Sequence, residues 1–207
     1  MWRWLIFAGA ALALVAGVAP VAADDALWAL LRGGGQVVML RHAGTDRTFG
    51  DPPGFRLDDC PTQRNLTAEG REQARRLGEV FRARGVSIGR RVLSSQWCRC
   101  LETSPLAFGR AEPWPALNGG PRDVERVAAR VQDVRALLAT PPAGGTLVLV
   151  THGFNIRDIT GEMPAEGGLM VFTPLEGGRF TVAGRSPRRT WRRRERAAIM
   201  KPRGGLR

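Results

Sequence analysis

Short apolar runs along the chain predict the strands of a sheet. The two clearest are residues 36–40 (QVVML) and residues 146–150 (TLVLV), and each follows consecutive glycines. Runs of this length without alternating polar positions are typical of parallel strands buried on both faces. Residues 91–93 (RVL) are a third candidate, and residues 169–172 with residues 180–182 are expected to add edge strands.

Between these runs, apolar residues recur at helical spacing. Ala74, Leu77 and Phe81 share one face of a predicted helix, with Thr67 as its N-cap and Gly85 as its stop. This pattern places an amphipathic helix between the first and third strand candidates.

Two further helices are predicted. One covers residues 97–108 and is expected to bend or end near Pro105. The other follows Pro121, stops before Pro141, and has the clearest helical stripe of the chain, formed by Val124, Val127, Ala128, Val131, Val134 and Leu138. Because strands and helices alternate, we expect an α/β fold of three layers, a mainly parallel sheet with helices on both faces.

The N-terminal segment resembles a secretory signal peptide. Arg3 precedes an uncharged stretch, residues 4–23, and Val21-Ala22-Ala23 offers small residues at the cleavage position. We therefore predict cleavage after Ala23 and a periplasmic or secreted protein. The alternative is an uncleaved membrane anchor, because about 20 apolar residues can span a bilayer.

The net charge of +12 is concentrated at the C-terminal end. Residues 185–207 carry ten basic residues and one acidic residue, which leaves +3 for residues 1–184. This tail has no apolar periodicity and is expected to be disordered. A specific nucleic-acid-binding fold is not indicated; weak binding of anionic surfaces through the tail and a solvated extension are the alternatives. The predicted organisation is a signal peptide at 1–23, one domain at 24–184 and the tail.

Only two histidines occur in the chain, and each immediately follows a predicted central strand: His42 in VVMLRH and His152 in LVLVTH. Ligands of open α/β sheets bind beyond the carboxyl ends of the strands, so one pocket can contain both imidazoles. Arg41 would repel a cation, and two histidines without other ligands make a weak zinc site, so an anion is the better occupant. We expect no metal and no cofactor; the single lysine, Lys201, excludes P-loop and pyridoxal enzymes.

Four motifs in the expected order resemble the histidine phosphatase superfamily, the phosphoglycerate mutase-like proteins. Together they span residues 36 to about 172, and they are RHA at 41–43, RNLT with Gly70 and QA at 64–74, SSQWCRCLET at 94–103 and VTHG at 150–153. One such motif would be weak evidence, whereas four ordered motifs are strong. The resemblance implies a small phosphorylated substrate and the fold of phosphoglycerate mutase.

The resemblance also implies roles for individual residues. His42 would be the nucleophile that attacks phosphorus, Arg41 and Arg99 would bind the phosphoryl oxygens, and His152 would support them. A neutral imidazole can attack if one ring nitrogen is free and the other donates to a fixed acceptor, expected to be a backbone carbonyl. Water would then hydrolyse the phosphohistidine. Arg64 is a candidate for substrate binding, with a surface or helix-terminal role as the alternative.

The proton donor for the leaving group is not assigned by the motifs. Glu112 and Asp123 flank the loop from Trp114 to Pro121 and are the candidates, while Glu102 is equally well explained as a helix-surface residue. A substrate with a low-pKa leaving group would need less help.

These features predict an exported, metal-independent histidine acid phosphatase-like enzyme that hydrolyses a phosphomonoester. The chain is similar to the periplasmic branch that includes lipopolysaccharide-core sugar phosphatases, so an envelope sugar phosphate is a candidate substrate. A phosphoglycerate mutase-type phosphotransferase and a non-catalytic protein that binds a phosphorylated ligand are the alternatives.

Three cysteines suit an exported protein, in which two of them are expected to pair. Cys98 and Cys100 lie two residues apart on a predicted helix and point in different directions, so Cys60 must pair with one of them. We predict Cys60–Cys98, which ties the loop after the His42 strand to the start of the Arg99 helix. A Cys60–Cys100 bridge and three reduced thiols are the alternatives.

Overall fold

One six-stranded sheet organises the protein. The computed structural model describes residues 20–48, 50–119 and 124–186. The strands, in the spatial order β3-β2-β4-β1-β5-β6, are β1 Val37–Arg41, β2 Ile88–Ser94, β3 Glu112–Pro113, β4 Thr146–Thr151, β5 Leu169–Leu175 and β6 Arg179–Arg185. Three of the five pairings are parallel, and those of β5 with β1 and β6 are antiparallel. The prediction of a mainly parallel sheet is confirmed.

Helices cover both faces of this sheet. They are α1 Pro20–Arg32, α2 Ala68–Ala83, α3 Cys98–Phe108, α4 Val124–Leu138 and α5 Gly153–Thr160, with 3₁₀ turns at Cys60–Thr62 and Pro115–Leu117. Side chains of β1 alternate between two cores: Val38 and Leu40 pack with α1, α2 and α3, whereas Val37 and Met39 pack with α4 and α5. All four are fully buried, which explains why the strand is an unbroken apolar run and confirms the three-layer α/β fold.

The start and stop signals of α2 have the predicted roles. The Thr67 hydroxyl accepts a hydrogen bond from the Gly70 amide at 3.0 Å, which satisfies one of the free N–H groups of the first turn. Gly85, with φ of 70°, follows the last turn in the left-handed conformation that favours glycine.

Helix α3 confirms the helix predicted over residues 97–108. It does not end at Pro105, because Ala107 and Phe108 are buried in the core and Pro105 itself lies on the exposed side. One predicted detail was wrong. Strand β5 is not an edge strand: it lies between β1 and β6, and its first residues are fully buried.

Helix α1 was not predicted. Trp28 and Leu31 are buried against α2, where the Trp28 ring meets Phe81 edge-on at a centroid distance of 5.4 Å. This helix begins at Pro20 and includes the predicted cleavage position after Ala23. The remainder of the predicted signal peptide and the tail beyond Ser186 lie outside the described residues. Within the described part of the chain, none of the helices has the length and apolar character needed to cross a membrane.

The predicted disulfide is present. Cys60 and Cys98 are bridged with a Cα–Cα distance of 5.7 Å, and Cys100 is free and buried. The bridge therefore fastens the loop between β1 and α2 to the first residue of α3.

Candidate active site

The two histidines lie side by side at the carboxyl ends of adjacent parallel strands. Arg41 of β1 is in register with Thr151 of β4, so the residues that follow them leave the sheet together. The His42 amide donates to the Thr151 carbonyl at 3.0 Å, and the ring centroids of His42 and His152 are 5.5 Å apart. The sequence prediction that one site contains both imidazoles is confirmed.

His42 is held in one tautomer. Its Nδ1 lies 2.8 Å from the Ala43 carbonyl oxygen, which can only accept, so Nδ1 carries the hydrogen and Nε2 carries the lone pair. Burial, together with the charges of Arg99, Arg41 and Arg64, lowers the pKa of His42 to about 3. The imidazole is therefore neutral near pH 7, as a nucleophile must be.

His152 is fixed by the segment that follows β2. Its Nε2 lies 2.9 Å from the Ser95 hydroxyl, which in turn lies 3.1 Å from Oδ1 of Asn118. Complete burial and the positive charge of Arg99 lower the pKa of His152 well below its ordinary value. Two neutral imidazoles thus face a site whose charge comes from arginines.

Arg99 is the most enclosed of these arginines. Only 4% of the residue is exposed, and its guanidinium carbon lies 4.4 Å from the centroid of the Trp97 ring. Nη1 donates to the Asp51 carboxylate at 2.8 Å, while the buried Nε has no partner among the described residues. Although burial lowers the pKa of Arg99, the Asp51 carboxylate opposes that effect.

Arg41 is positioned by residues that the sequence did not single out. Its Nη1 donates to the Pro164 carbonyl at 2.9 Å, and Nη2 lies 3.5 Å from Oε1 of Glu166. The same Glu166 oxygen accepts from the Thr45 hydroxyl at 2.8 Å. Glu166 therefore links the arginine to the loop that follows His42.

Arg64 also belongs to the site. Its backbone amide donates to the Asp51 carboxylate at 3.1 Å, and its charge contributes to lowering the pKa of both His42 and His152. Arg64 is therefore close enough to act on the charge of both histidines, and its role in substrate binding stays a prediction.

The buried Nε–H groups of Arg41, Arg64 and Arg99 all lack an acceptor within the described residues. Buried donors are normally paired, so these three guanidinium donors, on arginines whose charges act on both histidines, suit a site for a bound anion.

Of the two predicted proton donors, the structure describes only Glu112, and it does not bring Glu112 to the histidines. Glu112 lies exposed on β3, where Arg91 donates to both of its carboxylate oxygens at 2.9 and 2.7 Å and lowers its pKa. This exposed ion pair at the edge of the sheet does not support Glu112 as the proton donor. Asp123 lies outside the described residues. Glu102 pairs with Arg71 on the half-exposed faces of α2 and α3, which is the surface role that the sequence left open.

A cavity of about 1150 Å³ opens next to Arg41. The loop after β1, the first half of α2, the 161–168 segment, the start of β5 and the end of β6 line it, and its arginines are Arg41, Arg47, Arg76 and Arg185. Neither histidine lines this cavity, and of Arg41, Arg64 and Arg99 only Arg41 does. Within residues 20–48, 50–119 and 124–186, no group of three or more histidine, cysteine or carboxylate side chains could hold a metal ion.

The fold is that of known histidine phosphatases. The structure of the protein histidine phosphatase SixA complexed with tungstate is 21% identical, with a TM-score of 0.52, over 72% of this chain and 95% of that chain. Phosphoserine phosphatase from Entamoeba histolytica, in complex with 3-phosphoglyceric acid, is 15% identical with a TM-score of 0.55, over 73% and 96%. A mycobacterial glucosyl-3-phosphoglycerate phosphatase is 17% identical with a TM-score of 0.52, over 71% and 96%.

No family model and no curated protein matches the chain. The resemblance to the phosphoglycerate mutase-like superfamily is therefore confirmed at the level of the fold, and the chemistry must be argued from the site.

Proposed function

We propose that the protein is a phosphatase that hydrolyses a phosphomonoester through a phosphohistidine on His42. The observation that carries the proposal is a neutral imidazole whose Nδ1 is fixed on a backbone carbonyl, close to three arginines whose buried Nε–H groups have no partner within the described residues. An anion with several oxygens satisfies those donors, and a phosphoryl group is the anion that an imidazole can also attack.

In the first step, the Nε2 lone pair of His42 forms a bond to phosphorus as the bond to the leaving oxygen breaks. Arg41 and Arg99 hold the equatorial oxygens through charge-assisted hydrogen bonds that strengthen as charge moves onto them. Nδ1 keeps its hydrogen bond to Ala43, which supports the positive charge that the ring gains.

In the second step, water attacks the phosphohistidine, the P–N bond breaks, and its electron pair returns to Nε2. Inorganic phosphate leaves and His42 is again neutral. The residues named in both steps supply the nucleophile and the electrostatic stabilisation, so neither step as written requires a metal.

A small phosphorylated substrate suits the site. SixA, the phosphoserine phosphatase and the glucosyl-3-phosphoglycerate phosphatase are named as phosphatases, and the second is in complex with 3-phosphoglyceric acid. The cavity beside Arg41 has room for a leaving group such as a sugar, and its lining mixes arginines with Glu69 and Glu162. These features support an envelope sugar phosphate as a candidate substrate of an acid phosphatase-like enzyme.

The test is phosphate release from a panel of sugar phosphates, phosphoserine, phosphohistidine and aryl phosphates, measured in the presence of a chelator. The wild-type protein is expected to turn over at least one member, and His42→Asn, which preserves a hydrogen-bonding side chain of similar size, is expected to turn over none. Tight phosphate binding without turnover by the wild type would instead identify a non-catalytic binding protein.

Export is part of this proposal. It rests on the signal-like residues 1–23 and on the Cys60–Cys98 bridge, because disulfides persist in oxidising compartments. N-terminal sequencing after expression in a Gram-negative host is expected to begin at Asp24 in the periplasmic fraction. An intact Met1 in the membrane fraction would favour the anchored alternative. Anionic-surface binding by the basic tail remains a separate prediction.

A further inference from the structure

Asp51 is a carboxylate that the structure places beside two arginines of the histidine site. It lies in the loop between β1 and α2, and its Oδ1 accepts from Arg99 Nη1 at 2.8 Å and from the Arg64 amide at 3.1 Å. One fifth of the Asp51 side chain is exposed, compared with 5% of the Arg99 side chain. The Asp51 side chain is therefore more exposed than the guanidinium that would hold the phosphoryl group.

The two oxygens of Asp51 differ in their surroundings. Both hydrogen bonds end on Oδ1, whereas Oδ2 has no partner within the described chain and is not enclosed. In contrast, Glu166 uses both of its oxygens to hold Thr45 and Arg41. Of the carboxylates that pair with Arg41 and Arg99, Asp51 is thus the one with an oxygen available to a ligand.

The loop holds Asp51 in this position. The ring of Phe55 lies 4.4 Å from that of Trp97, and the Gln63 side chain donates to the Arg56 carbonyl at 2.7 Å. The Cys60–Cys98 bridge then fastens the end of the loop to α3, which carries Arg99. Asp51 and Arg99 are therefore attached to the same rigid support. A proton donor needs such a fixed position relative to the group that holds the substrate.

We propose that Asp51 is the proton donor to the leaving group, an inference that rests on the proposed phosphatase function. In this proposal, the phosphoryl group bound at Arg99 takes the place of Asp51 as the counter-ion, and Oδ2 of Asp51 carries the proton that is transferred. As the bond from phosphorus to the leaving oxygen breaks, Oδ2–H transfers its proton to that oxygen and the alcohol departs. The resulting carboxylate then takes a proton from the water that attacks the phosphohistidine.

Two aryl phosphates of similar shape test this role. Phenyl phosphate has a poor leaving group that needs a proton, whereas 2,4-dinitrophenyl phosphate has a leaving group that departs as the anion. Asp51→Asn keeps an oxygen that can accept from Arg99 and the Arg64 amide but removes the acidic proton. The rate of phosphoenzyme formation in a single turnover is the measured quantity, because it isolates the step in which the donor acts.

For Asp51→Asn, we expect this rate to fall by about 100-fold or more with phenyl phosphate and by only a few-fold with 2,4-dinitrophenyl phosphate. Arg99→Ala is the matched control, and it is expected to slow both substrates. An equal loss on both substrates in Asp51→Asn would overturn the proposal and leave Asp51 as a positioning residue for Arg99. A faster rate with both substrates would also overturn the proposal, because that result would show that the Asp51 carboxylate blocks the phosphate site.

A failure of the proposed function gives a different result from a failure of the Asp51 assignment. If the wild type forms no phosphohistidine with either aryl phosphate, the phosphatase mechanism itself is wrong. If the wild type forms it and Asp51→Asn forms it at wild-type rates from both substrates, only the assignment of Asp51 is wrong.

Discussion

At the residue scale, protonation of the two buried histidines destabilises the folded protein. The pKa of His42 is about 3 in the folded protein, whereas an unfolded histidine titrates near 6.5, and the pKa of His152 is lowered in the same direction. The unfolded chain therefore binds more protons below pH 6.5. The stability that these histidines contribute is fully present above that pH and is lost as the pH falls towards 3.

We therefore predict that the free energy of unfolding falls by about 2 kcal/mol or more between pH 7.5 and pH 5.5, since each shifted histidine contributes about 1.4 kcal/mol over this whole interval. Urea denaturation at the two pH values measures it. His42→Asn should reduce the decline by roughly half, because one of the two histidines is removed. Equal stability of the wild type at both pH values would contradict the account.

Arg99 is predicted to contribute to the transition state rather than to the fold alone. Arg99→Ala removes a charged donor from the transferring group and should lower kcat/KM by a factor that corresponds to about 3 kcal/mol. Steady-state kinetics on the substrate found in the panel measure the loss. Arg91→Ala is the control, since Arg91 lies close to Arg99 in the sequence but pairs with Glu112 at the surface. Equal losses in the two variants would contradict the assignment.

Some residues of the site could be predicted from the sequence around them, and others could not. His42 and His152 could be predicted because each follows a buried strand in the sequence, and Arg41 and Arg99 because they stand in recognisable motifs. Asp51 and Glu166 could not, because their partners lie 48 and 121 residues away along the chain. The tertiary fold creates those contacts, and the motifs near Asp51 and Glu166 give no sign of them.

At the scale of elements, the packing of α2 against α3 depends on a glycine. A Cβ added at Gly78 would lie 2.0 Å from the Ala107 carbonyl oxygen, so the two helix backbones approach closely there. Elsewhere in a helix, glycine to alanine stabilises by about 1 kcal/mol. Here the clash reverses the sign, because neither backbone can move without disturbing the core.

We predict that Gly78→Ala lowers the midpoint of thermal unfolding by several degrees, which corresponds to a loss of about 1–3 kcal/mol for an overpacked contact. The neighbouring Glu79→Ala, on the exposed side of the same helix, should leave the midpoint nearly unchanged. A Gly78→Ala protein as stable as Glu79→Ala would show that the helices are not in this close contact.

The disulfide is the second stabilising device at this scale. Its cysteines are 38 residues apart, and closing such a loop is worth roughly 3 to 4 kcal/mol in the chain-entropy model. Cys60→Ser is therefore predicted to lower the free energy of unfolding by about that amount under non-reducing conditions. Cys100→Ala, which leaves the bridge intact, is the control. Peptide mapping that finds all three thiols free, or Cys60 bridged to Cys100, would contradict the assignment.

The elements differ in how well the sequence predicted them. Strands β1 and β4 and helix α2 combine apolar pattern, glycines and an N-cap, and they form where expected. The internal place of β5 could not be predicted, because a buried antiparallel strand and an edge strand of this length have similar sequences. Helix α1 overlaps the end of the segment that resembles a signal peptide, and that resemblance obscured the helix's own pattern of Leu27, Trp28 and Leu31.

At the scale of the whole molecule, the sheet order explains why one site forms. β1 pairs with β4 on one side and β5 on the other, so the loops that follow β1 and β4 leave the same edge of the sheet. α3 adds Arg99 to that edge, and the loop after α5 supplies the residues that hold Arg41. Residues far apart in sequence therefore converge on one anion site.

The central claim is that His42 carries the phosphoryl group during turnover. The direct measurement is to mix the protein with an aryl phosphate, quench it in base, and locate the phosphate by mass spectrometry of peptides. We predict an acid-labile, base-stable phosphate on the peptide that contains His42 in the wild type and none in His42→Asn. Phosphatase turnover without that phosphopeptide, or full activity of His42→Asn, would contradict the account.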